Sequence, residues 1–393
     1  MKNLIARELK RMVLSQSGSR RCIPVAIGIC LAMALSASHG EEAGEAGEMV
    51  WSVPEPGVEL RFPQAHGSHP DFRIEWWYLT AHLYSGERRF GLQATFFRLG
   101  QRPVRDEHES EFGDAQIYMA HMAVSDPEGG RFFHEERLNR GGWDAGAAVG
   151  DLDVHNGNWG LRREGGRIVL HGTVRSEAAF ALELRPHKRH VVFGEDGISR
   201  KGPEGTAASY YITFPRLDAE GTLAFGGEVM EVAGEAWMDH EISSSQLDRN
   251  QVGWDWACIQ FFDGRELMGY VLRTDAGEAS EYSKLVWIDP AGGLVQQRLG
   301  EYRWIHAGSW RSPETGAVYP ISPEIETVDP ADGERRRFKL VPLLPDQELA
   351  AGAGGVSYWE GACDVFDLAT GDVVGRAFLE MTGYADDIGE RLR

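Results

Sequence analysis

The sequence predicts an all-β protein built of two tandem antiparallel β-barrels. Three observations carry this. Short runs rich in Val, Ile, Tyr, Phe and Trp alternate with Gly-, Asp- and Pro-containing turns along most of the chain. Two hairpins in different halves of the chain match each other position by position. Further landmarks then recur in the same order in both halves, the signature of an internal duplication.

The first 40 of the 393 residues read as a signal peptide. A basic stretch (Lys2, Arg7, Lys10, Arg11, Arg20, Arg21) precedes an apolar run from Ile23 to Ala37 and the small residues leading to Gly40. That run has the length of a signal core and is short for a membrane span; the competing reading is a retained anchor. The chain is therefore expected to be exported, periplasmic or secreted, with no stable membrane span in its mature part. Residues 41–62 form an acidic leader and lead-in, 63–243 the first barrel and 244–393 the second. Past residue 40, 34 Lys and Arg face 59 Asp and Glu, a net charge of −25. Such a surface repels nucleic acid and anionic headgroups, so neither is an expected partner. Cys258 and Cys363 remain after cleavage, either bridged or as two buried thiols.

Residues 74–98 read as a hairpin turning at Ser85-Gly86, and residues 253–273 as another turning at Asp263-Gly264, where positive φ is tolerated. At one offset Trp76 aligns with Trp254, Tyr78 with Trp256, Gly86 with Gly264 and Gly91 with Gly269. Asp126-Pro127 recurs as Asp289-Pro290, Trp159 as Trp310, and Leu184-x-Pro186 as Leu340-x-Pro342. Ser209-Tyr210-Tyr211 recurs as Ser357-Tyr358-Trp359, and Gly234 to Asp239 as Gly375 to Glu380. Each copy holds a barrel-sized set of strands; closing it removes exposed edges. A two-sheet sandwich is the alternative. Trp76, Tyr78, Thr80 and His82 share one face of the first strand and Trp77, Leu79, Ala81 and Leu83 the other. Both faces are bulky, as expected for a strand with one face in its barrel and one against a second domain.

No nucleophile elbow, zincin motif, P-loop or paired Cys-x-x-Cys is present. The strongest cluster is Asp239-His240-Glu241 beside Trp237. Two carboxylates flanking an imidazole suit acid–base work, because close carboxylates raise one another's pKa and His titrates near neutrality. On an extended strand Asp239 and Glu241 point one way and His240 the other. The second copy lacks the His and the second acid. By the same comparison Glu75, His82 and His121 belong to a polar set special to the first copy. Trp76, Tyr78, Tyr210, Tyr211, Trp237, Trp254 and Trp256 are candidate wall residues for a ligand. The competing readings are a salt-bridged strand end for the acids and plain core for the aromatics. Nothing in the spacing of His82, His121 and His240 supports a metal, and no metal or cofactor is expected.

The motifs IEWWYLTAHL, FGLQATFFR, AHMAVSD, ASYYITFPRL, AWMDHE, VGWDWACIQ, YWEGACDVF and LEMTGY together resemble the AttH-like and carotenoid 1,2-hydratase family, from about Pro63 to Tyr384. The resemblance implies that both barrels are lipocalin-like. That family includes hydratases of long polyenes and exported members described only as secreted hydrolases. His240 matches its His-x-Trp element, with Ile242 at the aromatic position; Tyr270 falls near its Tyr-x-Asp element, with Leu272 at the acid position. The expected function is binding of a small apolar ligand (lipid, isoprenoid or polyene) in a barrel cavity or the inter-barrel cleft. The alternative is a hydratase-type lyase or hydrolase using Asp239, His240 and Glu241.

Overall fold

The computed structural model describes residues 50–101, 116–142, 144–203, 205, 207–351 and 355–392. The expected signal peptide (1–40), residues 41–49 of the acidic leader and residues 102–115 lie outside them. The chain from Trp51 onward is all-β, with helical pieces of a single turn. The first sheet holds β1 (Ile74–Ser85), β2 (Arg88–Gly100), β3 (Gln116–Asp126), β4 (Arg131–Arg140), β5 (Ala145–Ala147), β6 (Asp153–Asn156), β7 (Trp159–Glu164), β8 (Arg167–Val174), β9 (Ala178–Pro186), β10 (Val191–Phe193), β11 (Ser199–Arg200), β12 (Ala208–Phe225) and β13 (Glu228–Ser245). The second holds β14 (Gln251–Phe261), β15 (Glu266–Thr274), β16 (Lys284–Ile288), β17 (Leu294–Arg298), β18 (Arg303–Ile305), β21 (Glu324–Val328), β22 (Arg335–Pro342), β23 (Glu348–Leu349), β24 (Tyr358–Asp367) and β25 (Val373–Thr382). A separate ribbon pairs β19 (Trp310–Arg311) with β20 (Val318–Tyr319).

The first sheet runs β4-β3-β2-β1-β13-β12-β9-β8-β7-β6-β5 and curls until its ends meet. Side chains bridge the gap that backbone ladders leave. Asn139 donates to the Asn156 side chain at 2.6 Å, and Asn156 donates to the Tyr118 carbonyl at 3.1 Å. The result is a nearly closed barrel whose strand edges are covered. Its interior is packed solid by alternate residues: Trp77, Leu79 and Leu83 meet Phe90, Phe96, Phe180, Leu182 and Met238.

The second sheet runs β17-β16-β15-β14-β25-β24-β22-β21-β18 and forms a half-barrel. Trp287, Tyr302, Phe338 and Trp359 fill it. Its central order, β16-β15-β14-β25-β24-β22-β21, repeats β3-β2-β1-β13-β12-β9-β8. Even the register repeats: Tyr78 lies opposite Asp239, and their counterparts Trp256 and Glu380 lie opposite each other. The two tandem lipocalin-like barrels are thus a duplication in structure as well as in sequence.

Two of the sequence matches need correction. Tyr211 pairs with Glu241 across β12 and β13, and Tyr358 pairs with Thr382 across β24 and β25. The counterpart of Tyr211 is therefore Tyr358, not Trp359. A shift of one residue turns a side chain to the other face, and Trp359 indeed points into the second core. Likewise Trp310 sits in the separate ribbon, while β18 takes the place beside β21 that β7 holds beside β8.

The barrels pack through β1 and β14, which run side by side with their outer faces together. Trp76 stacks on Trp254 (6.4 Å, 22°), Tyr78 meets Trp256 edge-on (5.2 Å), and the Thr80 hydroxyl lies 4.0 Å from the Cys258 sulfur. Each of these pairs joins a residue to its own counterpart, which defines a pseudo-two-fold axis along the strands. Farther along, His82 Nε2 lies 3.0 Å from the Ala377 carbonyl, and Gln260 donates to the carbonyl of Ala236, the counterpart of Ala377, at 3.0 Å. The seam also holds a buried ion pair. A bulge in β12 between Phe214 and Leu217 accommodates Pro215, which cannot donate to a ladder, and re-aims Arg216 onto Glu266 of the second barrel at 2.7 Å. Cys258 and Cys363 are buried, unbridged thiols on β14 and β24.

Candidate functional site

One end of this seam is open. Beyond Thr80 and Cys258 the packing is closed, but toward Trp76 and Trp254 the barrels diverge around a cavity of about 310 Å³. Leu138 lines it while 44% exposed, which marks its opening to solvent. The walls are mostly apolar: Trp76, Trp254 and Trp256 with Phe97, Met119, Leu272 and Ile388. A larger groove of about 670 Å³ runs between Phe193–Glu195 of the first barrel and β16, β17 and Glu301 of the second. Its charged groups are exposed and paired to each other, so it offers no buried chemistry.

Strand parity decides which candidates reach the cavity. Trp76, Tyr78, His121, Tyr211, Asp239, Glu241, Trp254 and Trp256 line it. Glu75, His82, Tyr210, Trp237 and His240 do not. Tyr210 faces the opposite side of β12, among Ala65, Ile198 and Ile242. His82 is on the right face but at the closed end of the seam. Trp237 fills the seam and donates its indole N–H to Asp239 at 2.8 Å.

Asp239 is buried and accepts hydrogen bonds from Tyr211 (2.8 Å), Trp237 and Thr213. Tyr211 in turn accepts the Trp256 N–H at 3.0 Å. Burial raises the Asp239 pKa to about 7, with Glu241 adding to it and the three donors opposing it. Glu241 is bound by Lys201 and Ser209, and Lys201 also donates to Gln246.

Two further acids come from the second barrel. Glu360 and Glu380 lie directly opposite each other on β24 and β25. Tyr78 donates to Glu360 Oε1 at 2.6 Å and Trp254 donates to Glu380 at 3.0 Å. Burial, then the neighbouring Glu380, lifts Glu360 well above the carboxylate range; burial, with Glu241 and Asp239 adding to it, lifts Glu380 to about 8. His121 Nδ1 lies 2.7 Å from the Tyr358 hydroxyl.

Glu380 is the counterpart of Asp239, and the pseudo-two-fold axis brings both to one cavity. Glu360 stands opposite Glu380 as Thr213 stands opposite Asp239, so it is a polar residue special to the second copy. The same comparison of copies that points to Glu75 and His121 thus also points to Glu360. Lys201 also lines the cavity, with no pattern in the sequence to announce it, as does Tyr270, which lies near the family's Tyr-x-Asp element.

His240 and Glu75 form a separate cluster on the far face of β1 and β13. Glu75 Oε1 lies 2.9 Å from both His240 Nε2 and His69 Nδ1, and its Oε2 accepts from Arg98 at 2.9 Å. Burial would raise the Glu75 pKa, but Arg98 and then the imidazoles hold it well below its usual value. His240 stacks on Trp77 (4.8 Å, 18°), and burial lowers its pKa. The ligand atoms of His69, Glu75 and His240 lie within 4.8 Å of one another, close enough for a metal. Arg98 already supplies the positive charge there, so the arrangement reads as a buried ion network. The structure therefore divides the Asp239-His240-Glu241 cluster between two sites.

The family model described as AttH-like matches residues 53–384. A Nitrosomonas europaea protein assigned as an AttH, solved by crystallography, is 34% identical, with a TM-score of 0.75 over 85% of this chain and 99% of that one. Kievitone hydratase from Nectria haematococca is 14% identical, with a TM-score of 0.60 over 79% of this chain and 89% of that one, a likeness of fold. No curated protein matches the sequence.

Proposed function

The chain belongs to the AttH-like family, and from that premise we propose that it binds an apolar small molecule (a lipid, isoprenoid or polyene) in the cleft between its barrels. The cavity carries this reading. Its volume of about 310 Å³ is at the low end for ligand sites, and its apolar wall holds a few convergent polar groups, the usual make-up of such sites. The solid barrel interiors favour the cleft over a barrel cup. Titrating the protein with farnesol while following tryptophan fluorescence tests this, because Trp76, Trp254 and Trp256 line the cavity. Saturable quenching that is weakened in Trp254→Ala is expected. Absence of quenching, together with no copurifying apolar molecule by native mass spectrometry, would refute it.

The acids favour a second reading, a hydratase-type lyase or hydrolase. Asp239 and Glu380, with pKa values near neutrality, are poised to exchange protons at physiological pH. An acid would protonate a C=C bond, the indole faces would stabilise the cation, and a carboxylate would take the proton of the added water. His240 has no place in this scheme, since it faces away. Solvent label appearing in an acyclic isoprenoid alkene, and its loss in Asp239→Asn, is the expected result. We further propose that residues 1–40 are removed on export to the periplasm or beyond; N-terminal sequencing of the mature protein tests this.

A further inference from the structure

We propose that the ligand of the cleft ends in an uncharged oxygen acceptor (ketone, aldehyde or hydroxyl) taken by the carboxylic acid of Glu360, and that the same chain ending in a carboxylate is refused. This deepens the binding reading and rests on it.

Glu360 is 2% exposed and lines the cavity. Its Oε1 accepts the Tyr78 hydroxyl at 2.6 Å, while its Oε2 has no hydrogen-bond partner among the described residues. A buried carboxyl oxygen left alone in an apolar wall is costly unless something meets it.

The charges around Glu360 decide what meets it. Glu380 on β25 stands directly opposite, and Asp239 on β13 lines the same cavity. Tyr78 from β1, Cys258 from β14, and Tyr358 on β24 itself bring no positive charge; His121 from β3 is occupied by the Tyr358 hydroxyl and lies 3.3 Å from Glu136. Lys201 is the Lys or Arg lining the cavity, and it is engaged by Glu241 and Gln246. Two facing carboxyls with no cation of their own share protons rather than both ionise. With Oε1 accepting from Tyr78, the acid proton belongs on Oε2, where it becomes an unused donor in the cleft wall. An uncharged ligand oxygen completes that bond. A ligand carboxylate would instead lose its hydration with no free cation to meet it, beside Asp239 and Glu380, which ionise close to neutral pH.

Equilibrium binding to the full chain of two matched sets tests this: farnesol against farnesoic acid, and hexadecanol against palmitate, at pH 7 by fluorescence and calorimetry. The alcohol is expected to bind at least about a hundredfold tighter than the acid in any set that binds. Glu360→Gln keeps an acceptor for Tyr78 and replaces the acid O–H with an N–H. It should hold the alcohol within about threefold at pH 7 and lose most of the weakening of alcohol binding at high pH, because an amide cannot ionise. Without any substitution, alcohol affinity should fall at least about tenfold from pH 6 to pH 10, as the acids ionise. A carboxylate bound as well as its alcohol, or a pH-independent preference unchanged in Glu360→Gln, overturns the inference and leaves the binding site standing. If neither alcohol nor acid of either set binds, the cleft is not such a site, and both readings fall.

Discussion

Asp239→Asn should abolish one specific part of the protein's pH-dependent stability. In the unfolded chain this carboxyl ionises near 3.8, and in the folded protein near 7. Between those values the folded state holds a proton that the unfolded state has lost. Stability is therefore full below about pH 3.8 and is lost as pH rises through about 7, at roughly 1.4 kcal/mol per pH unit for this group. Over the whole interval that amounts to roughly 4 kcal/mol, and between pH 5 and pH 8 to roughly 2–3 kcal/mol. Asparagine fits the site without ionising: its oxygen accepts from Trp237 and Thr213, and its N–H can donate to Tyr211. Urea unfolding of both proteins at pH 5, 6, 7 and 8 provides the assay, because other titrating groups largely cancel in the difference. The advantage of wild type over the variant should shrink by roughly 2–3 kcal/mol from pH 5 to pH 8. A difference constant within about 0.5 kcal/mol would refute the reasoning. It would mean that three hydrogen-bond donors stabilise the anion enough to outweigh burial.

Two further predictions concern groups away from the cavity wall. Arg98→Leu strands the buried Glu75 carboxylate and should cost about 3–5 kcal/mol in urea unfolding at pH 7. Because the Glu75 pKa is depressed, its stabilisation is present above about pH 4.5 and should be lost only as acid drives the pH through its lowered value. Gln260→Ala removes the donor to the Ala236 and Pro215 carbonyls and should cost about 1–3 kcal/mol; His82→Ala, its counterpart across the seam, should cost a similar amount.

The fold was legible because a duplicated chain writes its own alignment. Hairpin turns at Gly86 and Gly264 and the matched Trp, Gly and Pro positions lead directly to paired sheets of the same order. Strand parity also correctly separated His240 from Asp239 and Glu241. The same parity places Glu75 on the core side of β1 with Trp77, where its absence from the second copy carries no information about the cleft. The sequence could not say which end of the long Trp76–His82 face would be open. Nor could it show that strands of the second barrel bring Glu360 and Tyr358 opposite the first. Those depend on how two outer faces dock, and no local pattern records that. The Tyr211 match failed for a simpler reason: two adjacent aromatics give two equally good alignments, one residue apart, and only the ladder distinguishes them.

The pairing of Trp76 with Trp254 and of Tyr78 with Trp256 has a further consequence. A face that meets its own copy about a two-fold axis is what a symmetric homodimer presents, and here the segment between Ser245 and Gln251 joins the halves covalently. In a homodimer every substitution appears twice, so a pocket on the axis must be lined by identical halves. Within one chain the halves can differ. Asp239 and Glu380, or Tyr211 and Tyr358, still form symmetric pairs, but Glu360 faces the cleft where its counterpart is Thr213. Joining the copies thus gave the cleft two distinguishable sides, which a site needs if it is to hold a molecule whose ends differ.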